Sequence, residues 1–335
     1  MPNVFISIEA MLSKATPGEA LLREAGFKIS FAETTDLNRG LCSEEETIEQ
    51  LQGYDALISG GEHLTRRVLT SLPRLCVLAR FGVGYDRVDV AAATELGIPV
   101  TITPTANYEC VAEQTLALMF AVAKSTVTLD RTTRLGEWTR QQTMPLRRST
   151  LGIVGLGRIG RAVAVRGKAL GMNVIAAETR PDERFVSEHQ IKLANLDDLL
   201  AEADFVTLHC PLNSETEGLM NRARIAGMKR GAVLINTARG KLVVEQALIE
   251  ALQSGHLRGA GLDVFEIEPI AADNPLLRMD NVVVSPHLGG ADALSMEQMG
   301  IEAAQVIVDL HRGRWPDAAV VNDSLRDGWQ WRIDR

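Results

Sequence analysis

The stretch LGIVGLGRIGR, residues 151–161, decides the fold. It reads as an apolar strand, then Gly155, Gly157 and Gly160 in GxGxxG spacing, then a helical pattern running to Gly171. The three glycines serve different purposes. Gly155 permits the tight turn, Gly157 lets the backbone approach a pyrophosphate, and Gly160 allows close packing of helix on strand. Free amides around Arg158 and Ile159 then face the anion at the helix N-terminus. The next apolar strand ends at Glu178, eighteen residues after Gly160. A carboxylate there accepts hydrogen bonds from both ribose hydroxyls and repels a 2′-phosphate, so NAD is expected over NADP. Arg180, two residues on, weakens that preference. A glycine motif alone is a weak signal, and a methyltransferase using adenosylmethionine competes for it.

Working downstream, apolar runs at 151–154, 174–177, 205–208, 233–236, 259–264 and 282–285 alternate with helical patterns. Six strands match a dinucleotide-binding sheet. Upstream, runs at 4–8, 56–59, 76–80 and 100–102 alternate with helical stretches at 17–25, 43–52 and 88–96, each followed by a glycine, the residue that suits a left-handed cap. The expected class is therefore α/β, with two doubly wound parallel sheets. One long helical pattern, 109–129, reads as a connector. After it comes a polar, Arg-rich arm at 130–150 that carries Gly136, Trp138 and Pro145. A last helix is expected at 291–310, before a tail at 322–335 that is polar apart from Trp329 and Trp331.

Composition agrees: 335 residues with 46% hydrophobic and 23% charged suffice for two cores. The net charge of -8 gives no global basic field for nucleic acid. Cys42, Cys76, Cys110 and Cys210 form no CxxC pair, so neither a zinc site nor a disulfide scaffold is expected, and no metal. Residues 1–10 lack a signal-type pattern, and no run of eighteen or more uncharged apolar residues occurs. A cytoplasmic protein without a membrane partner is expected.

Reduction of a 2-keto acid needs a cation for the carboxylate, a proton donor for the carbonyl, and a group that keeps the donor charged. One candidate for each follows a strand: Arg239 in INTARG, Glu268 in DVFEIEP and His287 in VSPHLGG. Taken singly, such an Arg is more often a surface charge and such a His more often structural. Consecutive carboxyl ends of a parallel sheet share one edge, however, and ligands bind there. His209 is the other histidine at a strand end.

With these motifs in order, the chain resembles the D-isomer-specific 2-hydroxyacid dehydrogenases over nearly its whole length. The matching stretches are RFGVGYDRVD at 80–89, TPTANYECVAEQTLALMF at 103–120, GLGRIGR at 155–161, LHCPLNSET at 208–216, INTARG at 235–240, LDVFEIEP at 262–269 and SPHLGG at 285–290. The resemblance implies that Arg239 clamps the substrate carboxylate and carbonyl, His287 gives the proton, and Glu268 pairs with His287. A neighbouring carboxylate favours a charged imidazole, and the planar Arg fork meets a carboxylate bidentately. It also implies that the Val83 and Gly84 amides hold the substrate carboxylate, with Thr103, Val111, Cys210, Pro211, Thr237, Asp263 and Gly289 around the cofactor. Asp263 as a local cap and Cys210 as an inert buried thiol stand as alternatives.

By the same resemblance, residues 104–289 form a Rossmann NAD-binding domain inserted into a flavodoxin-like substrate domain, 1–103 with 290–335. The active site is then expected in an interdomain cleft, and a homodimer through the cofactor domain, with the arm around Gly136 and Trp138 at its interface. Trp138 as a core residue is the alternative. Glu268 in place of glutamine speaks against formate as substrate, and Val83 in place of lysine against phosphite. The length leaves no room for the regulatory C-terminal domain of longer phosphoglycerate dehydrogenases. Arg80 and Arg140 fall where phosphoglycerate dehydrogenases bind the substrate phosphate, although both can be surface charges. Phosphoglycerate, glyoxylate with hydroxypyruvate, and bulkier 2-keto acids stay open. The rival function is an NAD-sensing, co-repressor-like binding protein of the same fold.

Overall fold

A computed structural model describes residues 1–8, 11 and 16–332. The chain forms two compact units, Met1–Asn107 with Gly290–Arg335, and Tyr108–Gly289. In the first, strands β1 (Asn3–Ile6), β2 (Lys28–Phe31), β3 (Ala56–Ser59), β4 (Val77–Arg80) and β5 (Val100–Thr101) make a parallel sheet in the order β2-β1-β3-β4-β5. β3 and β4 are buried along their whole length, which is why they read as unbroken apolar runs rather than alternating ones. Val4, Ile6, Ile58 and Val77 point into one core, whereas Phe5, Leu57 and Leu78 point into the other. The helix Ala293–His311 closes the first of these cores with Ala303, Ala304 and Ile307.

The second unit is a seven-stranded parallel sheet. Its strands are β6 (Thr150–Val154), β7 (Asn173–Ala177), β8 (Lys192–Leu193), β9 (Phe205–Leu208), β10 (Val233–Asn236), β11 (Gly259–Leu262) and β12 (Val282–Val284), in the order β12-β11-β10-β9-β6-β7-β8. β6 lies between β9 and β7, so strand order reverses at its carboxyl end, where open α/β sheets bind ligands. Register sets the site: Val154 pairs with both Ala177 and Leu208, so Gly155, Glu178 and His209 leave the sheet at one level. Asn236 pairs with Leu262, and Leu262 with Val284, so Thr237, Asp263 and Ser285 do the same.

The expected α/β class with two parallel sheets holds, with differences of detail. β2 and β8 carry no apolar run; both are edge strands with exposed or half-buried residues, so pattern reading passes over them. The connector is two helices, Tyr108–Ala123 and Thr126–Arg134, broken at Ser125, whose φ is +52°. The second helix buries no residue, and Val127, inside the expected 109–129 pattern, is 56% exposed. Trp329 is not a loose tail residue: its indole N–H donates to the Gly97 carbonyl at 3.0 Å and its ring meets Trp315 and Trp331. Residues 333–335 of the expected tail lie outside the described residues. Among those described, no helix is long and apolar enough to cross a membrane, and no His/Cys/Asp/Glu group has the makings of a metal site.

Candidate active site

The turn between β6 and the helix Arg158–Ala169 has the geometry that a pyrophosphate requires. Gly155 has φ +95°, and a Cβ on it would lie 2.7 Å from the Cys210 nitrogen. A Cβ on Gly160 would lie 2.1 Å from the Gly155 carbonyl oxygen. Both positions therefore demand glycine. Gly157 differs: it caps the helix, and a Cβ there would meet nothing within 4 Å, so the open space lies over the helix N-terminus, where Arg158 and Ile159 begin the first turn. This cradle fits a dinucleotide phosphate. Glu178 stands beside it, accepting from the Leu156 amide at 2.7 Å and the Arg180 amide at 3.0 Å. Burial raises its carboxyl pKa, but these bonds and the Thr179 hydroxyl outweigh that and hold it below the usual range. It is therefore an ionised acceptor, suited to ribose hydroxyls. Arg180 is exposed.

At the other end of the sheet the edge of β10, β11 and β12 carries Arg239, Glu268 and His287. Nδ1 of His287 and Oε2 of Glu268 are 2.9 Å apart, while Oε1 of Glu268 accepts from the Phe265 amide at 3.1 Å. A carboxylate on Nδ1 fixes that nitrogen as the donor and leaves Nε2 for chemistry. His287 takes φ +55°, uncommon for a non-glycine residue. Asp263, fully buried, holds it there. The His287 amide donates to the Asp263 carbonyl at 2.8 Å, and the Asp263 carboxylate accepts from Ser285 Oγ at 2.5 Å, the Leu288 amide at 2.9 Å and the Gly289 amide at 2.7 Å. Gln114 extends the chain, donating to Ser285 Oγ at 2.9 Å. Asn236 does similar work for Arg239, accepting from the Ala238 amide at 3.0 Å and donating to the Arg239 carbonyl at 2.8 Å. The guanidinium of Arg239 also donates to the Ala238 carbonyl at 2.6 Å.

Asn236, Ser285 and Gln114 are not singled out by sequence, although the first two lie inside the INTARG and SPHLGG stretches. Of the cofactor candidates, Asp263 spends its carboxylate on the neighbouring loop after β12, at Ser285, Leu288 and Gly289, and so is not a cap of its own loop. Thr237 is buried with its hydroxyl 2.9 Å from that of Thr115. The Cys210 thiol is pushed up to about 11 by burial, so it is unreactive as a nucleophile. Val111 lies against Gly289, and Pro211 is exposed. His209 is separated from His287 by its surroundings: burial pushes its pKa down to about 3, and Nε2 is engaged with Thr207 Oγ1 at 2.9 Å. That ring cannot hold a proton near neutral pH.

The remaining candidates lie in the first unit or on the arm. Thr103, in the first unit, is fully buried; its hydroxyl accepts from the Gly82 amide at 3.0 Å and its amide donates to the Gly82 carbonyl at 2.9 Å. Val83 and Gly84 follow in the same loop, half-buried. Arg80 points inward rather than to solvent: only 7% exposed, it donates to the Gly84 carbonyl at 3.1 Å and to Ser59 Oγ at 3.2 Å. Arg140 is exposed on the arm.

A glycine turn that fits a dinucleotide phosphate and a His–Glu pair thus lie at strand ends of one sheet. Residues 116–289 match the family model for the D-isomer specific 2-hydroxyacid dehydrogenase NAD binding domain. A glyoxylate reductase of Korarchaeum cryptofilum is 40% identical over 292 residues, 85% of this chain and 88% of that one. A D-3-phosphoglycerate dehydrogenase of Methanocaldococcus jannaschii is 40% identical over 282 residues, 83% of this chain, but the match spans only 54% of that protein. The crystal structure of D-lactate dehydrogenase from Aquifex aeolicus, complexed with NAD and lactic acid, aligns with TM-score 0.83 at 31% identity, over 95% of this chain and 98% of that one. The chain belongs to the D-isomer-specific 2-hydroxyacid dehydrogenase family. It is an NAD-dependent oxidoreductase of 2-hydroxy acids, and the binding-protein alternative is not favoured by these relatives.

Proposed function

We propose that this enzyme reduces a small, unphosphorylated 2-keto acid of the glyoxylate and hydroxypyruvate class. The observation that carries the reading is the 2.9 Å bond between His287 and Glu268, with His287 on a loop pinned by Asp263. NADH bound on the glycine turn supplies the hydride. Arg239 holds the carboxylate and carbonyl of the substrate, and the amides of Val83 and Gly84 hold the carboxylate as well. Glu268 keeps the His287 ring oriented through Nδ1, so Nε2 delivers the proton to the carbonyl oxygen. In the reverse direction the same nitrogen accepts it.

The inward-turned Arg80 supports an unphosphorylated substrate, because its guanidinium already serves Gly84 and Ser59. The match to a glyoxylate reductase points the same way. A homodimer through the arm is supported by Leu135 and Trp138, 73% and 80% exposed, since adjacent bare apolar side chains favour a covering partner. Four free cysteines favour a reducing compartment, the cytoplasm. Initial rates of NADH oxidation with glyoxylate, hydroxypyruvate, phosphohydroxypyruvate, pyruvate and longer 2-keto acids, with NADPH in parallel, test the reading. Glyoxylate or hydroxypyruvate with NADH is expected to give the highest kcat/KM. A preference for phosphohydroxypyruvate would overturn the substrate class, and turnover of none of the acids would overturn the function.

A further inference from the structure

We propose that Arg80 and Thr103 are positioning residues that hold the 82–84 loop with its Val83 and Gly84 amides presented to an anion, while Ser59 and Glu62 hold Arg80. This rests on the reading that the loop receives the substrate carboxylate.

The peptide plane is rigid. In a trans peptide the carbonyl and the following N–H point in opposite directions, so pinning one aims the other. The Gly82 carbonyl is pinned by the Thr103 amide at 2.9 Å, which aims the Val83 N–H the other way. The Gly84 carbonyl is pinned by Arg80 Nε at 3.1 Å. The peptide that carries the Gly84 N–H thus lies between two fixed planes. Gly82, at φ +128°, provides the sharp entry, and its own amide is tied to Thr103 Oγ1 at 3.0 Å. Among the described residues, neither the Val83 nor the Gly84 amide donates to another group of the chain.

Arg80 has its own supports. Nη1 donates to Ser59 Oγ at 3.2 Å and lies 3.8 Å from Glu62 Oε2. Glu62 is 1% exposed and no hydrogen bond of ordinary geometry reaches either of its oxygens, so the nearby guanidinium charge is its main compensation. A planar group with donors on several sides can join Gly84 to Ser59 and Glu62 at once; a lysine cannot.

The test uses the full chain with Arg80→Gln, Arg80→Lys and Ser59→Ala. Amide hydrogen exchange across 82–85 is measured together with KM and kcat for glyoxylate, NADH affinity and the thermal midpoint. In Arg80→Gln, exchange is expected to accelerate and KM to rise about tenfold, the loss of one charge-assisted hydrogen bond, with kcat and NADH affinity held. Arg80→Lys should fall between it and the parent. Ser59→Ala, which removes a single bond to Nη1, should show the same pattern at smaller amplitude, and keeps the test available if the Arg80 variants do not fold. Unchanged exchange in the variants that fold overturns the proposal whatever the rates do. A lower midpoint with unchanged exchange and KM overturns it too, as does a loss confined to phosphohydroxypyruvate, which would make Arg80 a direct phosphate contact. A parent without activity on 2-keto acids defeats only the functional reading, because exchange still decides the loop geometry.

Discussion

Asp263 and Glu62 are both sealed from solvent, 0% and 1% exposed, yet they use their oxygens in opposite ways. Asp263 accepts from one hydroxyl and two backbone amides, so it shapes the backbone that carries His287. Glu62 accepts from none with ordinary geometry and faces Arg80 at 3.8 Å, so it steadies that side chain through charge once its proton is released. A buried carboxylate answered by N–H groups fixes geometry, whereas one answered only by a charge keeps a large desolvation cost. The difference also appears in protonation: burial pushes the Glu62 carboxyl above its ordinary range, with Arg80 pulling the other way.

The largest effect should come from breaking the Asp263 side. Asp263→Asn keeps the size but replaces one acceptor oxygen with an NH2. Whichever way the amide turns, that NH2 meets the Leu288 or the Gly289 N–H, donor against donor. A loss of about 2–3 kcal/mol in urea denaturation is expected. Because His287 is held at φ +55° by these bonds, kcat should fall at least about 100-fold, the usual result of misplacing a reacting group by about 1 Å. If stability drops while kcat survives, the loop does not need Asp263 to present His287.

Glu268→Gln tests the outer end of the same shelf. It retains an acceptor but loses the negative charge opposite Nδ1. A fall in kcat of about tenfold to 100-fold, with unchanged NADH affinity, is expected for a weakened acid–base pair. Rates equal to the parent would remove Glu268 from the mechanism and leave it a structural ligand of the Phe265 amide.

Legibility followed the same line between pattern and placement. Both sheets were readable because buried parallel strands are apolar throughout, and β2 and β8 were not, because short edge strands need no apolar run. Arg239, Glu268 and His287 stood out by their joint placement after successive strands behind a glycine motif. The shelf beneath them did not: an Asp, a Ser or an Asn in a loop is common, and only the register of Leu262 with Asn236 and Val284 brings Asp263 level with Ser285. Arg80 was legible only in part, for a related reason. Its position is visible in sequence, whereas its direction depends on Ser59 and Gly84, reached through strand pairing and a tight loop. The two strand-end histidines are also alike in sequence; burial and a Thr207 partner mark His209, and a Glu268 partner marks His287.

The smallest effect, and the sharpest for the comparison, is expected from Glu62→Gln. A carboxyl whose folded pKa lies above its ordinary 4.5 retains its proton when the unfolded chain has already released it. Above that ordinary value, the folded state therefore binds more protons than the unfolded one, and the Glu62 contribution to stability falls as pH rises through the folded pKa. Glutamine has no proton to release. Urea denaturation of parent and variant at about pH 5 and about pH 7.5 should therefore show a smaller loss of stability with pH in the variant. The remaining pH dependence, which comes from the other titrating groups, should be common to both. Identical slopes would mean that Glu62 is ionised in the folded chain as readily as in the unfolded one. Arg80 would then compensate it fully, and Glu62 would differ from Asp263 only in the kind of partner it has, not in how well that partner satisfies it.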